Sequence, residues 1–413
     1  MTSTVHVILD DDPTGTQTVS DVPIVLRPSI GSLVSAAKGK ALWVLTNTRA
    51  MEEDRAIDTV REVVNLARAA LGSGVPLLLR GDSTLRGHVL AELDAAGAQD
   101  TVSLFVPALI ELGRVTIGGV HYVKIGGKRV PVGETEYARD HAFGYRSSKL
   151  VDWVAEMGNG RPAIGVPLEH LRRAGDTMLQ DILRVSPAGT VVVPDAETYD
   201  DLASVASALH VVETNGRRVI VRAAASFASV WAGLSSRTVR PAPTDSNILV
   251  VCGSHTTGAT AQLAALETAS GVAPVYIEPG HINGERDRAL VAERLRTAMA
   301  SSGLAILATS RELLPEHQNL RAGELCMDAV IDVVSQVLTP DTAVITKGGI
   351  TSARVARDAI GAETGWVEGA LLPGVPLWRL NSDGVSRALV VAPGNVGDDT
   401  TLVTAFNILR GVA

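Results

Sequence analysis

The chain has 413 residues, with 37 Lys and Arg against 45 Asp and Glu, a net charge of −8. That balance offers no overall attraction to a polyanion and excludes a general nucleic-acid binder, while 46% hydrophobic and 20% charged residues exclude a disordered chain. No apolar run reaches the roughly 18 residues of a membrane helix, so no membrane partner is expected.

The opening MTSTVHVILDDDPTG places acids where a signal peptide has a basic start and a long apolar core, so the expectation is a cytoplasmic protein. The only cysteines, Cys252 and Cys326, lie far apart, which leaves neither a disulfide scaffold nor a Cys-rich zinc site.

Short apolar runs alternate with helical stretches along most of the chain, the signature of parallel α/β sheets. Runs at 5–9, 41–45, 75–79 and 102–106 read as buried strands. Between them, 52–70 carries Ile57, Val60, Val63, Val64 and Ala67 at spacings of three and four, one apolar stripe of a helix. From Gly113 to Val132, β-branched residues alternate around Gly118-Gly119 and Gly126-Gly127, predicting a β-hairpin flap.

Further strands at 163–166, 191–193 and 219–221, with helices at 168–183 and 200–212, complete a first domain over 1–236. The segment 235–247 (SSRTVRPAPTDSN) reads as a linker. A second domain, 247–413, has strands at 248–251, 275–277, 305–308, 343–346 and 389–391. They alternate with helices at 259–269, 286–300, 323–338 and 400–409. The expected fold is α/β: two doubly wound, mostly parallel-sheet domains with a β-hairpin flap and an interdomain cleft.

Ligands of open α/β sheets bind at the carboxyl ends of strands, and four chemistry-bearing clusters stand there. LDDDPTG places Asp10, Asp11 and Asp12 in succession. Three adjacent carboxylates shift one another's pKa and call for a cation or a substrate donor, or else cap the next helix. RGDSTLRGH combines Arg80 and Arg86, which suit a carboxylate or phosphate, with Asp82, which suits a substrate hydroxyl. Asp82 or Ser83 as a plain helix cap is the structural alternative. Arg49 also follows a strand, and Arg114 and His121 lie on the flap.

CGSHTTGAT holds Gly253, Ser254, Thr256 and Gly258. The two glycines have the spacing of a phosphate loop, but Ala259 stands where a Walker A lysine would be, excluding a standard P-loop. KGGIT (Lys347, Gly348, Gly349, Ile350, Thr351) and PGNVGDD (Gly394, Asn395, Gly397) are glycine turns that let backbone approach a ligand, with Lys347 a candidate charge partner. The nine histidines show no H-E-x-x-H spacing, and no metal ligands are assigned.

Together these clusters resemble the four-carbon acid sugar kinase family, long catalogued as a domain of unknown function. Its opening A-D-D-x-T-G falls on Asp11, Asp12, Thr14 and Gly15, with Asp10 replacing Ala. Its K-x-D-S-T-L-R-G falls on Asp82 to Gly87, with Arg80 replacing Lys. PALIELGRVTIGGVHYV and GETEYARD resemble two further stretches. The family's glycine loop matches Gly253 and Ser254, its G-G-x-T turn Gly348, Gly349 and Thr351, and its K-S-G-N-F-G segment Gly394, Asn395 and Gly397. Ala392, Pro393 and Val396 depart from that last segment, and Ile350 stands where Glu is common.

The resemblance implies an N-terminal sugar-acid domain, a C-terminal ATP domain, and phosphoryl transfer from ATP with Mg2+ to a hydroxyl, expected at C4, of a tetronate or 3-oxo-tetronate. Taken with the strand-end reading, it gives Asp82, Asp12 and Arg86 as the expected catalytic residues, with Asp12 or Asp82 the base, and Asp11, Arg49, Arg80, Ser83 and Arg114 as further substrate contacts. It further implies that Gly253, Ser254, Gly348, Gly349, Thr351, Gly394, Asn395 and Gly397 hold the nucleotide, and the glycine-turn reading adds Thr256, Lys347 and Ile350 to that expected set. The partners are then two small molecules, with a homodimer left open. A non-catalytic sugar-acid-binding regulator is the rival from another class. A NAD-dependent sugar-acid dehydrogenase is disfavoured, because no G-x-G-x-x-G follows the first strand.

Overall fold

The computed structural model describes residues 5–244, 247–278, 284–311 and 320–412. They form two compact α/β units: one runs through Gly15 and resumes over Ser29–Ser235, and the other joins Thr16–Pro28 to the chain from Ser236 onward. Thr16–Pro28, inside the range the sequence assigns to the first domain, therefore groups with the second unit.

In the first unit seven strands lie in the order Ala41–Leu45, His6–Asp10, Leu77–Arg80, Val219–Ala223, Val102–Val106, Val191–Pro194, Ala163–Val166, and every pairing is parallel. These strands are almost continuously apolar because helices cover both faces, so a run such as ALWVL (Ala41–Leu45) is buried throughout. Asp10 pairs with both Leu45 and Arg80, and Ala223 with Arg80. This register brings four carboxyl ends to one line.

The helix expected over 52–70 is Glu53–Leu71, burying Val60, Val63, Val64 and Ala67. The stretch expected as one helix over 168–183 is two, Leu168–Arg172 and Met178–Val185. Asp176 breaks it by accepting from Met178 N (2.9 Å) while its other oxygen meets His170 Nδ1 (3.0 Å), a local alternative to helical bonding. The flap is a three-stranded antiparallel sheet, Val115–Ile117, Val120–Ile125 and Lys128–Pro131, rather than a single hairpin. Both its turns are Gly-Gly pairs at positive φ, as two-residue hairpin turns demand. Asp195, at the end of a core strand, fastens the first turn by accepting from Gly118 N (2.7 Å) and Gly119 N (2.8 Å).

The second unit has the order Val275–Ile277, Leu304–Thr309, Ile248–Cys252, Ala343–Lys347, Val385–Ala392, Val375–Ser382, Thr364–Leu372, Val22–Val25. The first five pair in parallel, and the last three extend the sheet antiparallel. Cys252 is level with both Ala308 and Lys347, and Lys347 with Ala392, so these strand ends also align. Trp378, fully buried, donates from Nε1 to Thr16 Oγ1 (2.9 Å), and Arg237 N donates to Ser20 Oγ (2.8 Å), tying Thr16–Pro28 into this unit. Among the described residues no helix is long and apolar enough to cross a membrane.

Candidate active site

At the aligned strand ends of the first unit, acids and guanidiniums interlock. Asp10, Asp11 and Asp12 are all buried. Asp10 accepts Trp43 Nε1 (2.9 Å) and Arg80 Nη1 (3.0 Å), and the same Nη1 lies 3.5 Å from Asp11 and donates to the Asp12 carbonyl (3.2 Å). Asp12 takes Thr14 N at 2.8 Å and a hydrogen bond from Arg49.

Burial pushes Asp10 up to about 7 against the pull of Arg80, and it raises Asp11 as well. Burial acts the same way on Asp12. There Arg49, Arg80 and the Thr14 hydrogen bonds outweigh it and hold the carboxyl below its ordinary range.

Arg222 is one of the residues that sequence reading missed. It lies on the Val219–Ala223 strand, 1% exposed, and donates from Nη2 to Asp11 Oδ2 (2.9 Å) and from Nη1 to Glu92. A guanidinium inside the run VIVRA was the available signal, since a buried charge needs a partner. Gly81 makes room for it, because a Cβ there would overlap the Arg222 guanidinium.

The DSTLRG turn follows the Leu77–Arg80 strand. Asp82 Oδ2 accepts Arg86 Nε (2.8 Å) and the Thr84 hydroxyl, and Oδ1 stands 3.9 Å from Arg49 Nη1. Burial raises the Asp82 carboxyl, yet Arg86, Arg49 and Arg114 together carry it well below the usual carboxylate range. It is therefore ionised at neutral pH. Leu85 takes φ 66°, a costly conformation for a branched side chain. The turn is nevertheless held: Tyr145 OH donates to Thr84 O (2.6 Å), and His121 Nε2 donates to Ser83 O (2.8 Å).

His121 also meets the Thr116 hydroxyl at 2.9 Å. Burial brings its imidazole down to about 4. It is thus a neutral brace rather than a proton carrier. Arg114 donates to Ser83 Oγ (2.7 Å), and the Arg86 and Arg114 guanidiniums lie 5.2 and 5.7 Å from the centre of the Tyr137 ring.

At the strand ends of the second unit, Gly253 N and Ser254 N both donate to Lys347 O (3.2 Å each), which joins two of the predicted turns. Thr256 caps the Thr257–Ser270 helix by accepting Ala259 N (3.2 Å), and it donates to Gly394 O (2.7 Å), which brings in the third. Gly394 is required by this approach, since a Cβ there would stand 2.6 Å from Ser254 Oγ. Asn395 and Gly397 continue that turn, Thr351 is buried, and Ile350 is exposed.

Lys347 does not present a free ammonium. It is fully buried, donates to Pro393 O (2.6 Å) and Val396 O (3.0 Å), and burial lowers it to about 8. Among the described residues, Arg311, which sequence reading passed over, is a cation beside the loop: it donates to Ser254 O (2.7 Å), Thr309 O (3.0 Å) and Thr309 Oγ1 (2.9 Å). Among the described residues no group of three or more His, Cys, Asp or Glu side chains has metal-holding geometry.

Comparison with known proteins assigns each unit. Residues 6–231 match the family described as a sugar-binding N-terminal domain, and 249–402 match the nucleotide-binding C-terminal domain. A D-threonate kinase of Cupriavidus necator is 28% identical over 214 residues, 50% of this chain and 49% of that one, so the match spans about half the length of that relative. Among solved structures, Haemophilus influenzae protein HI1011 aligns with TM-score 0.64 at 17% identity, covering 98% of this chain and 100% of the other. A Salmonella typhimurium LT2 protein aligns with TM-score 0.67 at 18%, covering 97% and 98%. At such identities these two structures speak for the fold. The family matches, which together take in most of the sequence, and the acid–guanidinium and glycine-turn clusters at the strand ends lead to one assignment: the chain belongs to the four-carbon acid sugar kinase family.

Proposed function

We propose that this protein transfers the γ-phosphoryl group of Mg-ATP to a hydroxyl, at C4, of a short sugar acid such as a tetronate or 3-oxo-tetronate. The observation that carries the reading is Asp82. It is a buried carboxylate kept ionised by three guanidiniums, with one oxygen saturated by Arg86 and Thr84 and the other clear of any described hydrogen bond. That second oxygen suits a substrate hydroxyl. Phosphoryl transfer asks mainly for positioning and charge neutralisation, so a strongly acidic Asp82 serves by orienting the hydroxyl and accepting its proton late.

In this reading Asp12 and Arg49 contact the sugar beside Asp82, while Asp11 and Arg80 belong to the buried ion-pair scaffold that shapes the pocket. Ser83 and Arg86 complete the wall. The backbone of Gly253, Ser254, Gly348, Gly349, Gly394, Asn395 and Gly397 receives the nucleotide phosphates, with Thr256 and Thr351 shaping the loop. Arg311 supplies the positive charge, and Lys347 acts as a positioning residue that holds the Pro393–Gly397 turn. The name of the Cupriavidus relative favours a four-carbon acid.

An ADP-release assay across threonate, erythronate, their 3-oxo forms and related branched acids tests the proposal. Turnover on one or more of them is the expected result. Tight sugar-acid binding without nucleotide binding would replace it with the non-catalytic regulator, and inactivity on every acid by a protein that binds ATP would remove the named substrates.

A further inference from the structure

The first unit gathers five guanidiniums at its strand ends, and four of them are matched. Arg49 pairs with Asp12 and faces Asp82, Arg80 lies between Asp10 and Asp11, Arg86 bonds Asp82 and faces Asp140 at 3.7 Å, and Arg222 bridges Asp11 and Glu92. Arg114 is different. Its side chain is buried (6% exposed), its attraction to Asp82 acts at longer range than any ion pair among the described residues, its hydrogen bond is to the neutral Ser83 hydroxyl, and its Nε has no hydrogen-bond partner.

An isolated buried cation is expensive to maintain. A chain that has set acids in ion-pair contact with four neighbouring arginines, and leaves the fifth only the more distant Asp82, keeps that guanidinium's fork open to an anion from outside. The guanidinium fork accepts a carboxylate through two parallel hydrogen bonds, which a point charge or a neutral hydroxyl does not reproduce. The Tyr137 ring beneath both Arg86 and Arg114 keeps the guanidinium in place.

We infer that Arg114 is the carboxylate receptor of the sugar-acid site and the residue through which the site selects acids over neutral polyols. The inference rests on the proposal that this unit binds a sugar acid, and it replaces Arg86, the sequence-based candidate for that role, whose Nε is already committed to Asp82. Burial draws the Arg114 guanidinium below its ordinary range against the pull of Asp82.

The test is calorimetric titration, without nucleotide, of the full chain with erythronate and threonate and with the matching neutral tetritols, erythritol and threitol. Wild type, Arg114→Met and Arg114→Lys are compared, and thermal unfolding of each free protein is recorded. The wild type is expected to prefer the acids. Arg114→Met should weaken acid binding by about 10- to 100-fold, the worth of charge-assisted hydrogen bonds, leave tetritol binding unchanged, and keep the unfolding temperature nearly unchanged, because a desolvated guanidinium is gone while Arg49 and Arg86 still neutralise Asp82. Arg114→Lys should recover part of the acid affinity.

Full acid affinity in Arg114→Met overturns the inference alone. So does a lowered unfolding temperature with equal weakening of acid and tetritol, the mark of a merely structural residue. A wild type that binds none of the four-carbon acids overturns the sugar-acid reading itself, and this inference with it.

Discussion

Arg222 Nη2 and Asp11 Oδ2, 211 residues apart in the chain, meet at 2.9 Å with both side chains about 1% exposed. With Glu92 on the other guanidinium nitrogen, this bridge seats the middle carboxylate of the acidic run against the middle of the sheet. Removing one member of a buried ion cluster leaves the others uncompensated. Arg222→Met is therefore expected to lower unfolding free energy by about 3–5 kcal/mol, read as a shift of the urea midpoint. A loss below about 1 kcal/mol would show the bridge to be solvated.

Asp82→Asn keeps the shape of the turn and most of its hydrogen bonds but removes the ionised acceptor. Turnover on the accepted sugar acid should fall by about 100-fold or more, with the Michaelis constant for ATP little changed. Near-normal kcat in a folded variant would remove Asp82 from the reaction. Because Arg86 and its neighbours hold this carboxyl far below the ordinary range, no acid limb between pH 5 and 8 should trace to Asp82.

Lys347 has the opposite electrostatics. Burial takes its ammonium from 10.5 to about 8, so between those values the unfolded chain carries a proton that the folded chain lacks. Stability then rises with pH across that window: the penalty of the charged form is fully present below pH 8 and gone above pH 10.5. The span corresponds to about 3 kcal/mol. Urea unfolding of wild type against Lys347→Met, followed from pH 7.5 to 10.5, should show this rise only in the wild type. Parallel curves for the two proteins would contradict it.

Arg311, anchored on Ser254 O and the Thr309 hydroxyl, is expected to strengthen nucleotide binding by charge. Arg311→Met should raise the dissociation constant of ATP by about tenfold and leave sugar-acid binding intact. An unchanged ATP affinity would return the phosphate charge to the backbone loops alone.

Much of the architecture was legible in the sequence because buried parallel strands must be apolar along their whole length, and runs such as ALWVL and ILVVC announce themselves. The strand-end motifs were legible for the same reason, since polar residues that interrupt such runs at their carboxyl ends stand where ligands bind. The antiparallel extension over Thr364–Leu372 and Val375–Ser382 escaped notice: Gly365, Gly369, Pro376 and a bulged register break the alternation that would have marked it. The join of Thr16–Pro28 to the second unit also went unseen, because its pairing partner lies more than 300 residues away.

The amino-acid order by itself determined which side chains stand at the strand ends and so which chemistry is on offer: three acids, a DSTLRG turn and three glycine turns. Only the tertiary structure decided how the charges are divided. Asp82 was in the motif, but its ionised state comes from Arg49, Arg86 and Arg114 converging on it. Lys347 was in the motif too, but two carbonyls of the Pro393–Gly397 turn claim it. Charge pairing depends on distance through space and on exclusion of water, and neither is written in the spacing of residues along the chain.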